Sequence, residues 1–181
     1  DYDRGSELFG EAMGLSASLK NSEYQLYSLF NMAHTERERG EHHRALELYE
    51  SSKALAQRIG QSDVEIGARA GEGLCLLALG RLDEAHRPLA EAESRMAMRS
   101  EWFQGRELAE ALRVLVAAAE GRTEDAVSQF EAARALGDPA DLYSAAWLTA
   151  ACAPALLLID RDLALAAVER YAARVAALGF T

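Results

Sequence analysis

Four histidines are the residues of this sequence most able to bind a metal or to transfer a proton: His34, His42, His43 and His86. His42 and His43 are adjacent, and adjacent residues on a helix do not face the same ligand. His34 lies one helical turn before Glu38, but no third ligand follows at the spacing of a metal site. The histidines are therefore predicted to be solvated or hydrogen-bonded, and no metal site is expected.

The carboxylates and thiols also lack the spacing of a catalytic site. Most glutamates alternate with arginines at positions predicted to form the solvated face of a helix. Cys75 and Cys152 are far apart in apolar stretches, which predicts buried thiols and favours a reducing compartment. The sequence has no phosphate-binding glycine loop, nucleophile elbow or Cys-x-x-Cys motif. We therefore expect no catalytic residues and no cofactor, and the chain is predicted not to be an enzyme.

Composition and charge narrow the class of protein further. The 181 residues include 29 acidic and 19 basic side chains, and a net charge of −10 disfavours binding to nucleic acid. The most apolar stretch, residues 145–159, is too short to span a bilayer, and no signal peptide is recognisable, so no membrane association is expected. Helix-forming residues fill most of the chain, with only three prolines. The sequence predicts a helical, cytoplasmic protein.

Three glycines begin the same pattern of residues, with spacings of 40 and 41 residues between them. Each is followed by a small residue at the fifth position, a large apolar residue at the ninth and another small residue at the twelfth. The three sets are Gly40, Ala45, Tyr49 and Ser52; Gly80, Ala85, Leu89 and Ala92; and Gly121, Ala126, Phe130 and Ala133. This register predicts a repeated helix–turn–helix unit.

The physical chemistry of helix ends accounts for the pattern. A glycine ends the first helix because it adopts a left-handed backbone conformation without a steric penalty. Acidic residues such as Asp83 and Glu124 follow, where the dipole of the second helix favours them. The small residue allows two helices to cross closely, and the bulky residue lies on the same face. Each helix pair leaves an apolar face uncovered, so successive pairs must stack.

These residues resemble the tetratricopeptide repeat, and the 40-residue period resembles the long-repeat variants found in kinesin light chains and in bacterial signal-responsive regulators. The resemblance implies an all-α fold, a right-handed α-solenoid of antiparallel helix pairs. Nine helices are expected, at residues 2–19, 23–39, 42–59, 62–79, 82–98, 101–120, 123–136, 140–159 and 161–178. We expect one repeat domain over residues 1–181, with a partial repeat at 1–20 and repeats at 23–60, 61–99, 100–137 and 138–179. The partial first repeat suggests a fragment of a larger chain.

In that family the first helix of each pair lines an inner groove, which identifies the candidate partner-binding residues. They are Tyr27, Phe30, Asn31, His34, Leu74, Leu77, Leu108, Leu115 and Trp147. The groove is predicted to be polar and aromatic at one end and apolar beyond it. The alternative, that the apolar residues are core rather than an open groove, stays open on sequence alone.

Two functions fit these observations. The first is a non-catalytic scaffold that binds a protein or a peptide. The alternative is an effector-sensing or oligomerisation module of a multidomain bacterial transcriptional or signalling regulator. Because the first and last helices carry apolar residues that no neighbouring repeat would cover, a homodimer through a terminal helix is also expected.

Overall fold

A computed structural model describes residues 2–98, 103, 105–137 and 142–177 of the chain. Within these residues it contains nine α-helices and no β-strand. The helices are α1 (Tyr2–Ser18), α2 (Ser22–Glu38), α3 (His42–Ile59), α4 (Ser62–Ala78), α5 (Leu82–Met96), α6 (Arg106–Ala119), α7 (Thr123–Gly137), α8 (Leu142–Ile159) and α9 (Arg161–Ala177). The predicted all-α fold is confirmed.

The helices belong to two compact units, Asp1–Ala109 and Glu110–Thr181, and the boundary falls inside α6. In the first unit α1 to α5 form a series in which each helix up to α4 packs against the next one, ending with the α4–α5 contact, and α2 also contacts α4. In the second unit α8 packs against both α7 and α9. A single repeat domain over residues 1–181 stays a prediction.

Five of the turns between helices share one backbone geometry. After α2, Gly40 has a φ of +84°, and the Glu41 N–H donates a hydrogen bond of 2.9 Å to the Glu36 carbonyl. Bonds spanning the same five residues also follow α1, α3, α4 and α6, where a residue of positive φ begins each turn: Lys20, Gly60, Gly80 and Gly121. This pattern is the Schellman motif, which satisfies carbonyls that the end of a helix leaves unpaired. The predicted role of the three repeat glycines is confirmed.

The residues that follow these glycines form the helix contacts, as their spacing predicts. Ala45, Ala85 and Ala126 are fully buried. The large residues four positions later are buried too, as are the small residues after them: Tyr49, Leu89, Phe130, Ser52, Ala92 and Ala133. Burial at every repeated position confirms the register of the repeat.

Candidate functional site

The first helix of the first full repeat, α2, carries four of the predicted groove residues. Tyr27 is 37% exposed, and Asn31 and His34 are partly exposed. Tyr24, one turn earlier on the same side of the helix, is 67% exposed. Tyr24 is not among the residues predicted from the sequence, although its position three residues before Tyr27 was a usable signal. The two tyrosines form an exposed aromatic edge of α2.

Two side-chain contacts fix the beginning of α2 and therefore the position of these tyrosines. The Asn21 side chain caps the helix by accepting a hydrogen bond of 3.2 Å from the Tyr24 backbone N–H. The Gln61 amide nitrogen donates a hydrogen bond of 2.7 Å to Glu23, which joins the first turn of α2 to the residue that precedes α4. The aromatic edge is thus presented from an anchored helix end.

His34 forms part of a polar network at the other end of α2. Arg37 donates to the His34 ring nitrogen Nδ1 over 3.3 Å and to the Glu38 carboxylate over 2.6 Å. Because a guanidinium can only donate, Nδ1 is the acceptor. Burial, reinforced by the Arg37 charge, lowers the pKa of His34 to about 4. His34 is therefore a neutral hydrogen-bonding group at neutral pH.

Phe30, the remaining predicted groove residue of α2, is buried. Its ring meets the Tyr49 ring edge to face, with 6.0 Å between ring centroids. Gly67 of α4 lies against Phe30, and a Cβ added to Gly67 would lie 2.9 Å from Phe30 Cζ. Phe30 therefore belongs to the contact between α2, α3 and α4, which is the core alternative left open by the sequence.

The predicted apolar part of the groove is also packed in the interior. Every residue of α4 from Val64 to Leu76 is buried, and Leu74 is 6% exposed. Leu77, in the last turn, is partly exposed. The wall that α4 was expected to offer to a partner is thus core along most of the helix.

The three other predicted groove residues lie on α6 and α8. Leu108, in the first unit, is 1% exposed and therefore also packed as core. Leu115 and Trp147, in the second unit, are partly exposed. Of the nine predicted residues, only Tyr27, Asn31, His34, Leu77, Leu115 and Trp147 expose part of their surface in this structure.

A buried cluster of charged side chains on α4 was missed by the sequence analysis. Glu65 Oε1 accepts hydrogen bonds from Gln57 at 2.8 Å and from Arg69 at 2.9 Å, and Arg95 lies 3.1 Å away. Arg69 also pairs with Glu91 of α5. Burial alone would raise the pKa of Glu65, but these hydrogen bonds and positive charges hold it below its usual value. The cluster joins α3, α4 and α5.

The sequence contained a signal for this cluster. Glu65, Arg69 and Glu72 follow one another at intervals of four and three residues in an otherwise apolar helix, and this spacing places them on one face. Glu72 completes the set by pairing with Lys53 of α3 at 2.5 Å. All three residues are buried. Their role is to hold neighbouring helices together, since each charge is compensated by a partner.

Both thiols are buried and free, as the sequence predicts. Burial raises the pKa of Cys75 and of Cys152 to about 12, so neither is a thiolate at neutral pH. Among the described residues, no three His, Cys, Asp or Glu side chains are grouped closely enough to hold a metal ion. In the same part of the chain, no helix has the length and apolar character needed to cross a membrane.

The fold is similar to that of two solved structures. The chain is similar to a crystal structure of nearly identical TPR-like repeats from a candidate kinesin light chain of Podosopora anserina. The two share 19% sequence identity with a TM-score of 0.55, over 95% of this chain and 86% of the other. A variant of those repeats with one residue exchanged gives 19% identity and a TM-score of 0.56, over 99% and 89% of the two chains. At this identity the likeness concerns the fold alone.

Comparison of sequences identifies the repeats themselves. A family model described as the tetratricopeptide repeat matches residues 24–97, which run from α2 to the end of α5. Comparison with curated proteins finds no match. The matched segment contains the turn glycines Gly40 and Gly80 and the buried alanines Ala45 and Ala85, at the offsets that the repeat requires. The comparison thus identifies residues 24–97 as tetratricopeptide repeats.

Proposed function

We propose that this chain is a non-catalytic scaffold that binds a protein or a peptide, and that its contact surface includes the exposed edge of α2. The observation that carries the proposal is the exposure of Tyr24 and Tyr27 on the first helix of a tetratricopeptide repeat. Tyrosine is enriched at protein interfaces because it buries a large rigid ring and keeps a polar hydroxyl. Asn31 and His34 lie further along the same helix and are partly exposed. Their hydrogen-bonding groups would favour a partner that has matching polar atoms.

The test is affinity capture from an extract of the source cells, using the intact protein and the double variant Tyr24→Ala/Tyr27→Ala. A partner that uses this edge is retained by the natural protein and lost by the double variant, while the circular dichroism spectrum stays unchanged. Arg58→Ala, a change at an exposed position of α3, serves as the control and should retain the partner. Retention of every captured protein by the double variant would place the contact elsewhere.

A role in self-association is favoured by a separate observation. The second unit exposes four large apolar side chains on α8 and α9, and Leu158 is 90% exposed. We call these four the α8–α9 patch: Leu157, Leu158, Leu165 and Val168. Exposed apolar side chains grouped on a protein surface mark contact sites. A homodimer through this terminal region is the form we propose.

The wider context of the chain is also a proposal. An effector-sensing or oligomerisation module of a multidomain bacterial regulator would be supported if the full-length protein carried a nucleotide-binding or DNA-binding domain. A cytoplasmic location is in keeping with two free buried thiols. Sequencing the complete reading frame separates this alternative from an independent scaffold.

A further inference from the structure

A second candidate binding site lies away from the aromatic edge of α2, in a cleft of about 500 Å³ over α4. Its sides are formed by α3 and α5, which both pack against α4. Leu46, Leu76 and Pro88 give the cleft its apolar surface. A cleft of this volume is large enough to hold a few side chains of a ligand.

Four of the six charged side chains that line the cleft form two ion pairs with each other. Lys53 of α3 contacts Glu72 of α4 at 2.5 Å. Arg81 contacts both carboxylate oxygens of Glu84, each at 2.7 Å. The Arg81 hydrogen bonds hold the pKa of Glu84 below its usual value, so this carboxylate is ionised at neutral pH. These four side chains have their charges compensated within the protein.

The remaining two charged side chains of the cleft are not compensated by such an ion pair among the described residues. Glu50 on α3 and Arg87 on α5 both line it, both are exposed, and neither forms an ion pair within the part of the chain that the structure describes. Arg87 is near Glu84 and contributes to lowering its pKa, but both Glu84 oxygens are bonded to Arg81. The cleft thus has one available negative charge on α3 and one available positive charge on α5, with apolar side chains between the helices.

We propose that the α3–α5 cleft is a peptide-binding site for a segment of a partner protein in which an apolar side chain is flanked by one basic and one acidic residue. The apolar side chain packs on Leu46, Leu76 and Pro88, the acidic residue pairs with Arg87, and the basic residue pairs with Glu50. This proposal goes beyond the function assigned to α2, since it names a separate surface and the chemistry of its partner.

The experiment is a titration of the ¹⁵N-labelled chain with short peptides blocked at both ends, followed by amide chemical shifts. Each peptide has a central leucine with a lysine two residues away on one side and a glutamate two residues away on the other, in both orders. Matched peptides replace both charges by glutamine, or the leucine by alanine. We expect shifts confined to the cleft, and dissociation constants about five- to tenfold higher for either matched peptide.

The variant Arg87→Glu gives the charge test. It makes both available charges of the cleft negative, so it should weaken binding of the lysine–glutamate peptide and favour a peptide that carries lysine on both sides of the leucine. Arg58→Glu, also an exposed arginine but outside the cleft, should bind like the natural protein. Tyr24→Ala/Tyr27→Ala should bind normally as well, which separates this site from the α2 surface.

Three results of the titration with the natural protein would each overturn the proposal. These are the absence of shifts at millimolar peptide, shifts centred on helices other than α3, α4 and α5, and equal affinity for charged and glutamine-substituted peptides. Unchanged peptide preference in Arg87→Glu would also overturn it, provided that circular dichroism shows the variant to be folded. Both exchanged arginines are exposed, so neither substitution is expected to disturb the core.

Discussion

At the scale of single residues, the packing of Gly71 against Tyr49 is the contact least able to accept added volume. A Cβ on Gly71 would overlap the Tyr49 ring, with Cε2 of that ring only 2.6 Å away. The ring is confined, because Tyr49 is fully buried and packs edge to face with Phe30. This contact explains why a glycine stands in the middle of α4, where it would otherwise weaken the helix.

Gly71→Ala is therefore expected to destabilise the protein by about 1–3 kcal/mol through overpacking. Gly14→Ala is the matched control, since Gly14 is also helical but has no atom within 4 Å of an added Cβ. The control should be neutral or more stable by up to about 1 kcal/mol. Urea denaturation of the three proteins measures the difference. Equal stability of the two variants would contradict the close packing of α3 on α4.

His34 predicts a dependence of stability on pH. Its pKa is about 4 in the folded chain against an ordinary value of 6.5, so the unfolded chain binds more protons between these two values. The contribution of His34 to the free energy of unfolding should thus fall as the pH drops from about 6.5 towards 4. His34→Gln keeps an acceptor for Arg37 but cannot titrate. We expect the natural protein to lose roughly 2–3 kcal/mol relative to His34→Gln over this range, as measured by urea denaturation at each pH. Parallel curves for the two proteins would contradict the lowered pKa.

At the scale of the element, α4 differs from α2, the first helix of the preceding repeat, because α4 is buried along most of its length. Leu74→Arg places a charge in this interior and should unfold the chain, with a loss of more than about 4 kcal/mol. Ala78→Arg, one turn later at an exposed position, should change stability by less than about 0.5 kcal/mol. Thermal melts followed by circular dichroism distinguish the two. A folded Leu74→Arg variant would restore Leu74 to the list of groove residues.

Some features of the repeats could be predicted from the sequence and others could not. The turn glycines and the buried alanines were predictable because helix ends and close helix crossings require particular residue types at fixed offsets. Which of the predicted groove residues are exposed could not be predicted in the same way. His34 and Leu74 stand one repeat apart at the same repeat position, yet His34 is partly exposed and Leu74 is buried. The difference arises from which helices pack over each position, and those contacts are not encoded in the repeat pattern itself.

At the scale of the whole molecule, the exposed apolar side chains make the oligomeric state testable. The α8–α9 patch is the surface proposed for a homodimer, and a specific interface there would bury about 800 Å² on each partner. Tyr171 of α9 is buried, so a charge at that position would test folding rather than association. Leu158 is the better position to change.

Light scattering over a concentration series should show a dimer for the natural protein and a monomer for Leu158→Glu/Leu165→Glu. The loss follows from the cost of bringing four like charges into one apolar contact. Leu15→Glu/Leu19→Glu, at exposed positions on and just after α1, tests the other end of the chain as a control. A natural protein that stays monomeric at high concentration would exclude the homodimer, and a dimer lost only in the α1 variant would move it to that end.

The burial of α4 also has a consequence for the order in which the first unit opens. Amide protons exchange with solvent only when their hydrogen bonds break, and segments with many buried contacts exchange through the largest openings. The amides of Val64–Leu76 should therefore exchange slowest of all, at a rate set by unfolding of the whole unit, whereas α1 should exchange through local fraying. Hydrogen–deuterium exchange read by mass spectrometry or NMR would show α4 as the last deuterated segment. A protease that cuts the native chain would then release α1 long before it reaches α4.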